Sequence, residues 1–483
     1  MNGALDAVVV GSGPNGLAAA VELARSGAQV LVLEAAESIG GGTRSAELTL
    51  PGFVHDVCSA CHPLGAVSPF LTTLPLDDFG LRWVFPPASV AHPMDDGSAV
   101  VLHHSVEETA AGLGRDARAY GRLLAPLVEH AESLFDELLG PPLHVPRHPL
   151  ALARFGVPAL LPAAALARVM FREERARALL AGCAAHTILP LERIVSGAVG
   201  LMFLLTGHVR TWPVARGGSR AIADALRSYL ESLGGRVETG RRVASLGDLP
   251  AARAYLFDTS PRSLADVAEP VLPPRFVRRL RRYRYGPGVF KVDWALDGPI
   301  PWRDPRCLEA TTVHIGGTLD EIAASEAAVW HGEHSQRPFV LLVQASQFDE
   351  TRAPEGKQSV WAYCHVPSGS TLDRTDVIER QIERFAPGFR DRVLARHVMN
   401  TRDLERHNPN DVGGAITGGM STLAQMLARP TPRLDPYSTP NPRFYICSAA
   451  TPPGGGVHGM CGFHAARSAL RRMPALRHGS ATA

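Results

Sequence analysis

The stretch Asp6-Ala-Val-Val-Val-Gly11-Ser-Gly13-Pro-Asn-Gly16, followed by Leu17-Ala-Ala-Ala-Val-Glu-Leu-Ala24 and by Gln29-Val-Leu-Val-Leu-Glu34, reads as strand, glycine turn, helix and second strand. Glycines at Gly11, Gly13 and Gly16 allow a tight turn, close backbone approach to a pyrophosphate and close packing of the helix on the sheet. The helix N-terminus, with its unpaired N–H groups and positive dipole end, then faces the phosphates. Glu34 ends the second strand, where a carboxylate accepts hydrogen bonds from ribose hydroxyls and repels a 2′-phosphate. Gly-x-Gly-x-x-Gly alone is weak evidence, but here every flanking part follows in order, which makes this half of a dinucleotide site. Gly40-Gly41-Gly42-Thr43-Arg44 continues it.

Outward from this unit, the 483 residues suffice for a large core and two lobes. Hydrophobic residues make up 45% and charged residues 20%, the balance of an ordinary globular protein. A net charge of +2 supplies no strong field for nucleic acid, so a nucleic-acid partner is not expected. Seven scattered cysteines suit a reducing compartment better than a disulfide framework. No basic segment precedes an apolar one at the start, and the strongly apolar uncharged run Ile194 to Val209 falls short of the roughly 20 residues a spanning helix needs. A cytoplasmic location is expected. The apolar segments at 157–168 and 194–209 leave peripheral membrane contact open, and oligomeric state is not legible.

Ser105-Val-Glu-Glu108 is a capping box that opens a mainly helical block running to about Val209. Arg216-Gly217-Gly218-Ser219 then precedes a helix, Ala221 to Leu233, and short strands are expected at 237–239, 242–246 and 254–258. Strand candidates at 290–296, 339–345 and 360–365 and a helix at 375–385 follow. Near the end, Phe444-Tyr-Ile-Cys-Ser448-Ala-Ala-Thr-Pro-Pro-Gly454-Gly455-Gly456-Val457-His458-Gly459 leads into a helix, Met460 to Arg472. This is either an ordinary glycine-rich connection or a second place where backbone approaches a ligand.

Together the two ends resemble the phytoene desaturase-like flavoproteins of the wider amine oxidase and GDP-dissociation-inhibitor fold family. Besides the two glycine segments and Glu34, the resemblance rests on Pro51-Gly52-Phe53, Tyr285-Gly286-Pro287-Gly288 with Asp293-Trp294-Ala-Leu296, Gly418-Gly419-Met420 with Gln425, Arg429-Pro430 and Tyr437-x-Thr439-Pro440. It spans nearly the whole chain. It implies an α/β fold: a discontinuous Rossmann-like FAD-binding domain (1–65, 210–265, 425–475) with an inserted α+β substrate domain (66–209, 266–424) that includes a helical cap, then a flexible tail at 476–483.

The implied cofactor is FAD in an extended pose. Gly11, Gly13 and Gly16, with Pro14 and Asn15, would meet the pyrophosphate, Glu34 and Ala35 the adenosine ribose, and Val243 the adenine. Gly41, Gly42, Thr43 and Arg44 complete that side, and Gly455, Gly456, Val457, His458 and Gly459 approach the flavin. Two departures stand out. Relatives often place an Arg directly after the glycine pair, whereas Gly42 stands there and Arg44 comes later; and Ser448 replaces a usual Gly.

Other constellations have bland readings beside the sharp ones. Cys58-Ser-Ala-Cys61-His62 matches a haem-attachment spacing and a redox pair, yet lacks the context of either, so a loop beside the cofactor is expected. No metal motif is present among the 19 histidines. His458 is the catalytic candidate, as acid, base or substrate-orienting group, with a structural cap role as the alternative. Lys291, one of two lysines, is expected to be an exposed strand residue, and the Arg275–Arg284 run a solvated helix face.

A flavin takes a hydride at N5 with modest demands on protein acids or bases. The expected activity is therefore an FAD-dependent oxidoreductase that dehydrogenates or desaturates a small, largely apolar, isoprenoid- or polyene-like molecule under the cap. One dinucleotide fingerprint implies that electrons pass to oxygen or a quinone. Flavin amine oxidation and a non-catalytic GDP-dissociation-inhibitor-like binding role remain alternatives.

Overall fold

Two sheets organise the chain, whose computed structural model describes residues 5–473; the tail expected at 476–483 lies outside the described residues. β1 (Leu5–Val10) is the centre of a five-stranded parallel sheet. On one side of it run Ala252–Phe257 and then Phe444–Ile446; on the other run β2 (Val30–Leu33) and Arg236–Glu238. The sheet thus gathers strands from widely separated parts of the chain. It is covered on both faces, which is why its strands are continuous apolar runs. Ala7, Val9, Val30 and Val32 pack under α1 (Pro14–Arg25) and the helices Arg220–Ser232 and Met460–Arg472. Val8, Val10, Leu31 and Leu33 face the helices Pro261–Ala268 and Pro274–Arg281. The latter buries Phe276, Val277 and Leu280, while its Arg281 pairs with Asp266 and Glu269, so the arginine run is a solvated helix face.

The second sheet has seven strands in the order 393–399, 288–296, 358–366, 340–343, 310–315, 88–93, 99–103. Its neighbours are antiparallel except for the parallel pair 310–315 and 88–93. The chain between these last strands and residue 210 is helical, and it includes the largely buried helix Ser196–Arg210, which takes in most of the uncharged run 194–209. The helices Thr375–Phe385 and Met460–Arg472 have the expected limits.

Three expectations fail, each for a local reason. Residues 242–246 form no strand: the Asp248 carboxylate accepts the backbone N–H groups of Ala244 and Ser245, so they are not free for a ladder. The capping box at Ser105 is half made. Its hydroxyl accepts from Glu108 N–H, but the Glu108 side chain turns to His103. Lys291 is not exposed but 2% accessible. Strand Gly288–Leu296 is paired along both edges and buried throughout, and the Lys291 ammonium bonds to Asp293, two residues along the same face.

The closest helix packing joins the two ends of the chain. A Cβ at Gly462 would stand 1.8 Å from the Asn15 carbonyl oxygen and 2.8 Å from Ala19 N. Gly462→Ala is expected to lower stability by about 1–3 kcal/mol through overpacking, read as a lower thermal midpoint. An unchanged midpoint would show that the two helices separate freely.

Candidate functional site

A cavity of about 800 Å³ opens at the carboxyl ends of β1 and β2 and continues to the second sheet. Ligands of open parallel sheets bind at such strand ends. Of the residues singled out in the sequence, Gly11, Gly13, Pro14, Asn15, Glu34, Ala35, Gly41, Gly42, Arg44, Val243, Gly455, Gly456, Val457 and His458 line it. The structure therefore brings together glycine segments from opposite ends of the chain. Gly16, Thr43 and Gly459 stand behind the wall. A Cβ at Gly16 would lie 2.2 Å from the Gly11 carbonyl oxygen, the Thr43 hydroxyl donates to Gly40 O, and Gly459 packs on Ala18 and Leu71. There they hold the cradle's shape from behind.

The cradle is bare backbone because side chains do not fit. Gly11 has φ +101°, and a Cβ there would meet the Asp258 carbonyl oxygen at 2.7 Å. Helix α1 begins at Pro14, and its N-cap residue, Gly13, has no side chain to cap it. Glu34 is fixed beside it: Oε2 accepts from Ser12 N–H at 2.9 Å and from the Ser12 hydroxyl, and Oε1 accepts from Ala36 N–H at 2.9 Å and from Arg44 at 3.2 Å. Arg44 thus belongs to the site despite its shifted position, held by Glu34.

Two acidic residues that the sequence reading did not select also line the cavity. Burial pushes the Asp258 carboxyl up to about 7, against the opposing hydrogen bond that its Oδ2 accepts from Gly16 N–H at 2.8 Å. Asp411 is likewise pushed up to about 7 by burial. Asp258 ends an apolar parallel strand just as Glu34 does, and that was the signal available for it.

Cys58 and Cys61 are free thiols on the cavity wall. Burial raises both, Cys61 to about 12, so they are protonated and poor nucleophiles. His62 is lowered to about 4 by burial and its Nε2 bonds to the Ser219 hydroxyl at 2.8 Å, a structural tie. Among the described residues no group of three His, Cys, Asp or Glu side chains is placed to hold a metal. Burial also lowers His458 to about 4, and its Nδ1 accepts the Met460 N–H at 3.0 Å. The neutral ring therefore caps the last helix.

Toward the second sheet the wall becomes apolar and aromatic, with Phe203, Trp212, Leu341, Val343, Trp361 and Tyr363. Trp361 and Tyr363 stack with centroids 5.6 Å apart at 18°. Lys291 Nζ lies 5.2 Å from the Trp361 ring centroid. Ile188, Val195 and Thr211 hold positive φ angles of 54°, 91° and 48°, unusual for β-branched residues, and the first two line the cavity. Asn15, Thr259, Thr312, Trp361, His407 and Arg429 all line the cavity and each carries a buried polar atom with no partner among the described residues. An extended, polar-ended cofactor suits a cavity with such unmet hydrogen bonding, a helix N-terminus at its wall and a carboxylate fixed at a strand end.

Comparison with known proteins agrees with this geometry. Residues 9–74 match the NAD(P)-binding Rossmann-like domain family. Pyridine nucleotide-disulfide oxidoreductase domain-containing protein 2 of Rattus norvegicus is 28% identical, with 96% of this chain and 93% of that protein aligned. Hydroxyneurosporene desaturase of Cereibacter sphaeroides is 29% identical over 50% of each chain. A putrescine oxidase structure superposes with a TM-score of 0.62 at 17% identity, covering 97% of this chain and 99% of that one, which establishes a shared fold. A dinucleotide-binding module in this fold is consistent with FAD. The chain thus carries a Rossmann-type dinucleotide-binding module and, along nearly its whole length, is similar to pyridine nucleotide-disulfide oxidoreductase domain-containing protein 2.

Proposed function

We propose that the protein is an FAD-dependent oxidoreductase that dehydrogenates a largely apolar molecule of isoprenoid or polyene type and passes the electrons to oxygen or a quinone. The observation that carries this reading is the single cavity joining a dinucleotide cradle to a chamber walled by apolar and aromatic side chains. Bound FAD supplies the two-electron acceptor that such chemistry requires. The remaining work falls to the chain. Glu34, already held by Ser12, Ala36 and Arg44, orients the adenosine ribose. The α1 N-terminus faces the pyrophosphate. Asp258 beside it holds a proton below about pH 7 and then adds no opposing negative charge. Gly455 to Val457 present backbone to the ring, and the His458 imidazole fixes that turn through Met460 N–H instead of exchanging a proton. The aromatic and aliphatic wall excludes water and aligns the substrate. The partial match to hydroxyneurosporene desaturase supports an apolar substrate.

Amine oxidation is the second reading, favoured by the stacked Trp361–Tyr363 pair on the wall and by the shared fold with putrescine oxidase. It is the weaker one. The Lys291 ammonium, paired with Asp293, already stands over the Trp361 ring, so that aromatic face already holds a cation.

The purified protein is expected to show oxidised-flavin absorption that bleaches anaerobically with an isoprenoid or polyene and not with aliphatic amines. A colourless protein that takes up no FAD on reconstitution would sink the proposal, and bleaching by amines alone would favour the second reading. Glu34→Ala is expected to weaken FAD binding by about 10–100-fold, the range for hydrogen bonds to a charged group, measured by titrating apoprotein. Because the folded-state pKa of Asp258 is raised, the folded chain binds more protons than the unfolded one between about pH 4 and 7. Stability from this group therefore falls as pH rises through that window. Asp258→Asn should raise the thermal midpoint of apoprotein relative to the parent at pH values above about 7, with the gap closing on acidification; a gap that does not vary with pH contradicts this assignment.

A further inference from the structure

His186 stands just past the helix Glu174–Ala185, lines the cavity and keeps part of its surface accessible. Its neighbours fix the ring. Phe203 lies against it with centroids 4.4 Å apart at 30°, Trp212 packs at right angles with centroids 5.4 Å apart, and the His186 Nε2 is 3.0 Å from Nε2 of His314. Nδ1, the other ring nitrogen of His186, makes no hydrogen bond among the described residues. Nearby donors are already committed. The Trp212 N–H donates to Thr206 Oγ1 at 3.2 Å and to Phe203 O at 3.3 Å, and the Thr187 hydroxyl donates to Ala184 O at 2.7 Å.

The histidine pair is built into the fold. His314 belongs to the strand Ala310–Ile315 and is fully buried, and a Cβ at Gly182, inside the helix that ends at His186, would stand 2.7 Å from its Nδ1. A glycine, unfavourable in a helix interior, thus makes room for this imidazole. Burial lowers His186 to about 3 and holds His314 well below the ordinary histidine range, so both rings are neutral and each carries a single N–H. Across the contact between the two Nε2 atoms one ring must donate and the other accept. If His186 donated, the His314 proton would sit on its Nδ1, which is buried without a partner. A buried N–H without an acceptor is the rarer defect. His314 therefore donates, and His186 carries its proton on Nδ1.

We propose, resting on the apolar-substrate reading above, that His186 Nδ1–H anchors an uncharged oxygen of the substrate, a ketone, aldehyde or hydroxyl acceptor borne on the otherwise apolar molecule. A neutral ring offers no counter-charge, so a carboxylate beside it would be buried unpaired, whereas a neutral oxygen needs only the one donor. Ile188, Val195 and Met202 line the same chamber and shelter such a bond from water. A hydrocarbon of the same shape would strip water from the N–H and return nothing, which is how a single donor discriminates. Holding one end of the molecule also sets how far its apolar body reaches toward the glycine cradle. Trp361 Nε1 is a further donor on the wall without a partner among the described residues, and the experiment separates the two.

The test measures binding to the full-length purified protein by quenching of tryptophan fluorescence, with no turnover required. The probes are geranylacetone, an isoprenoid ketone, and the hydrocarbon that carries a methylene group in place of its oxygen. The ketone is expected to bind about 2–10-fold more tightly, the worth of one net hydrogen bond. Its isotope-labelled carbonyl stretch, read by difference infrared spectroscopy, should fall below the value in hexane. His186→Phe keeps an aromatic ring in place and should remove both the preference and the shift while binding the hydrocarbon as the parent does. Equal affinity of the parent for the two probes, or an unshifted carbonyl band, overturns the proposal. So does a shift that persists in folded His186→Phe, which would assign the contact to Trp361 Nε1. Should His186→Phe fail to fold, Trp361→Phe decides: the shift must survive loss of the indole N–H, and its disappearance overturns the proposal. Hydrocarbon binding without a ketone preference removes only this inference, whereas failure of both probes to bind removes the apolar-substrate reading with it. A colourless protein that shows the preference loses only the redox reading.

Discussion

The contact between Gly462 and the Asn15 carbonyl is the constraint on which the site depends. With no side chain at Gly462, the last helix lies against the first turn of α1, and the two segments that lead into these helices line one cavity. The α1 N-terminus brings partial positive charge to that space, where Arg44, Arg241, Arg242, Arg406 and Arg429 also stand among buried carboxyls and neutral imidazoles. The parallel sheet adds the second half of the constraint. Because β1 pairs with Ala252–Phe257 on one side and β2 on the other, Asp258 and Glu34 are delivered to either side of the same glycine turn. The cradle is thus a product of strand order and helix contact, and the residues that touch its interior need only be small or acidic.

Glu34 shows how fully such a site is prepared in advance. A carboxylate offers about four lone-pair positions, and here both oxygens already accept two donors each. A ribose hydroxyl bound at Glu34 would therefore share or replace one of them. Arg44 is the most replaceable donor, since it is the long side chain among backbone and short partners. Its place two residues beyond the glycine pair, unusual in the resemblance, gives it reach to Glu34 as well as to the Ser38 and His407 carbonyls.

Much of this was legible in the chain, where local chemistry alone decides structure. Strand, glycine turn, helix and acid at residues 5–34, and the helices Thr375–Phe385 and Met460–Arg472, follow from period and punctuation. What escaped depended on partners distant in sequence or on side chains competing with backbone. Residues 242–246 have strand-like composition, but Asp248 captures the N–H groups of Ala244 and Ser245 first. Lys291 reads as an exposed strand residue because nothing in the sequence tells that both of its neighbours are strands and that Trp361 covers it. Gly16, Thr43 and Gly459 carry the right residue types for ligand contact, yet their space is already taken by Gly11, Gly40 and Ala18. The aromatic chamber wall comes from β-strands whose side chains alternate, so composition gave no hint of which members would meet.

The order of the five-stranded sheet has a consequence for how the chain is made. Strand Ala252–Phe257 pairs with β1 on one edge and with Phe444–Ile446 on the other. On the ribosome the first edge is satisfied as soon as the strand emerges, because β1 precedes it. The second must wait until residues 258–443 have been added, on the order of 10–40 s at about 5–20 residues per second. Through that interval an apolar strand stands with an unpaired row of backbone groups, the condition that invites pairing with a neighbouring chain.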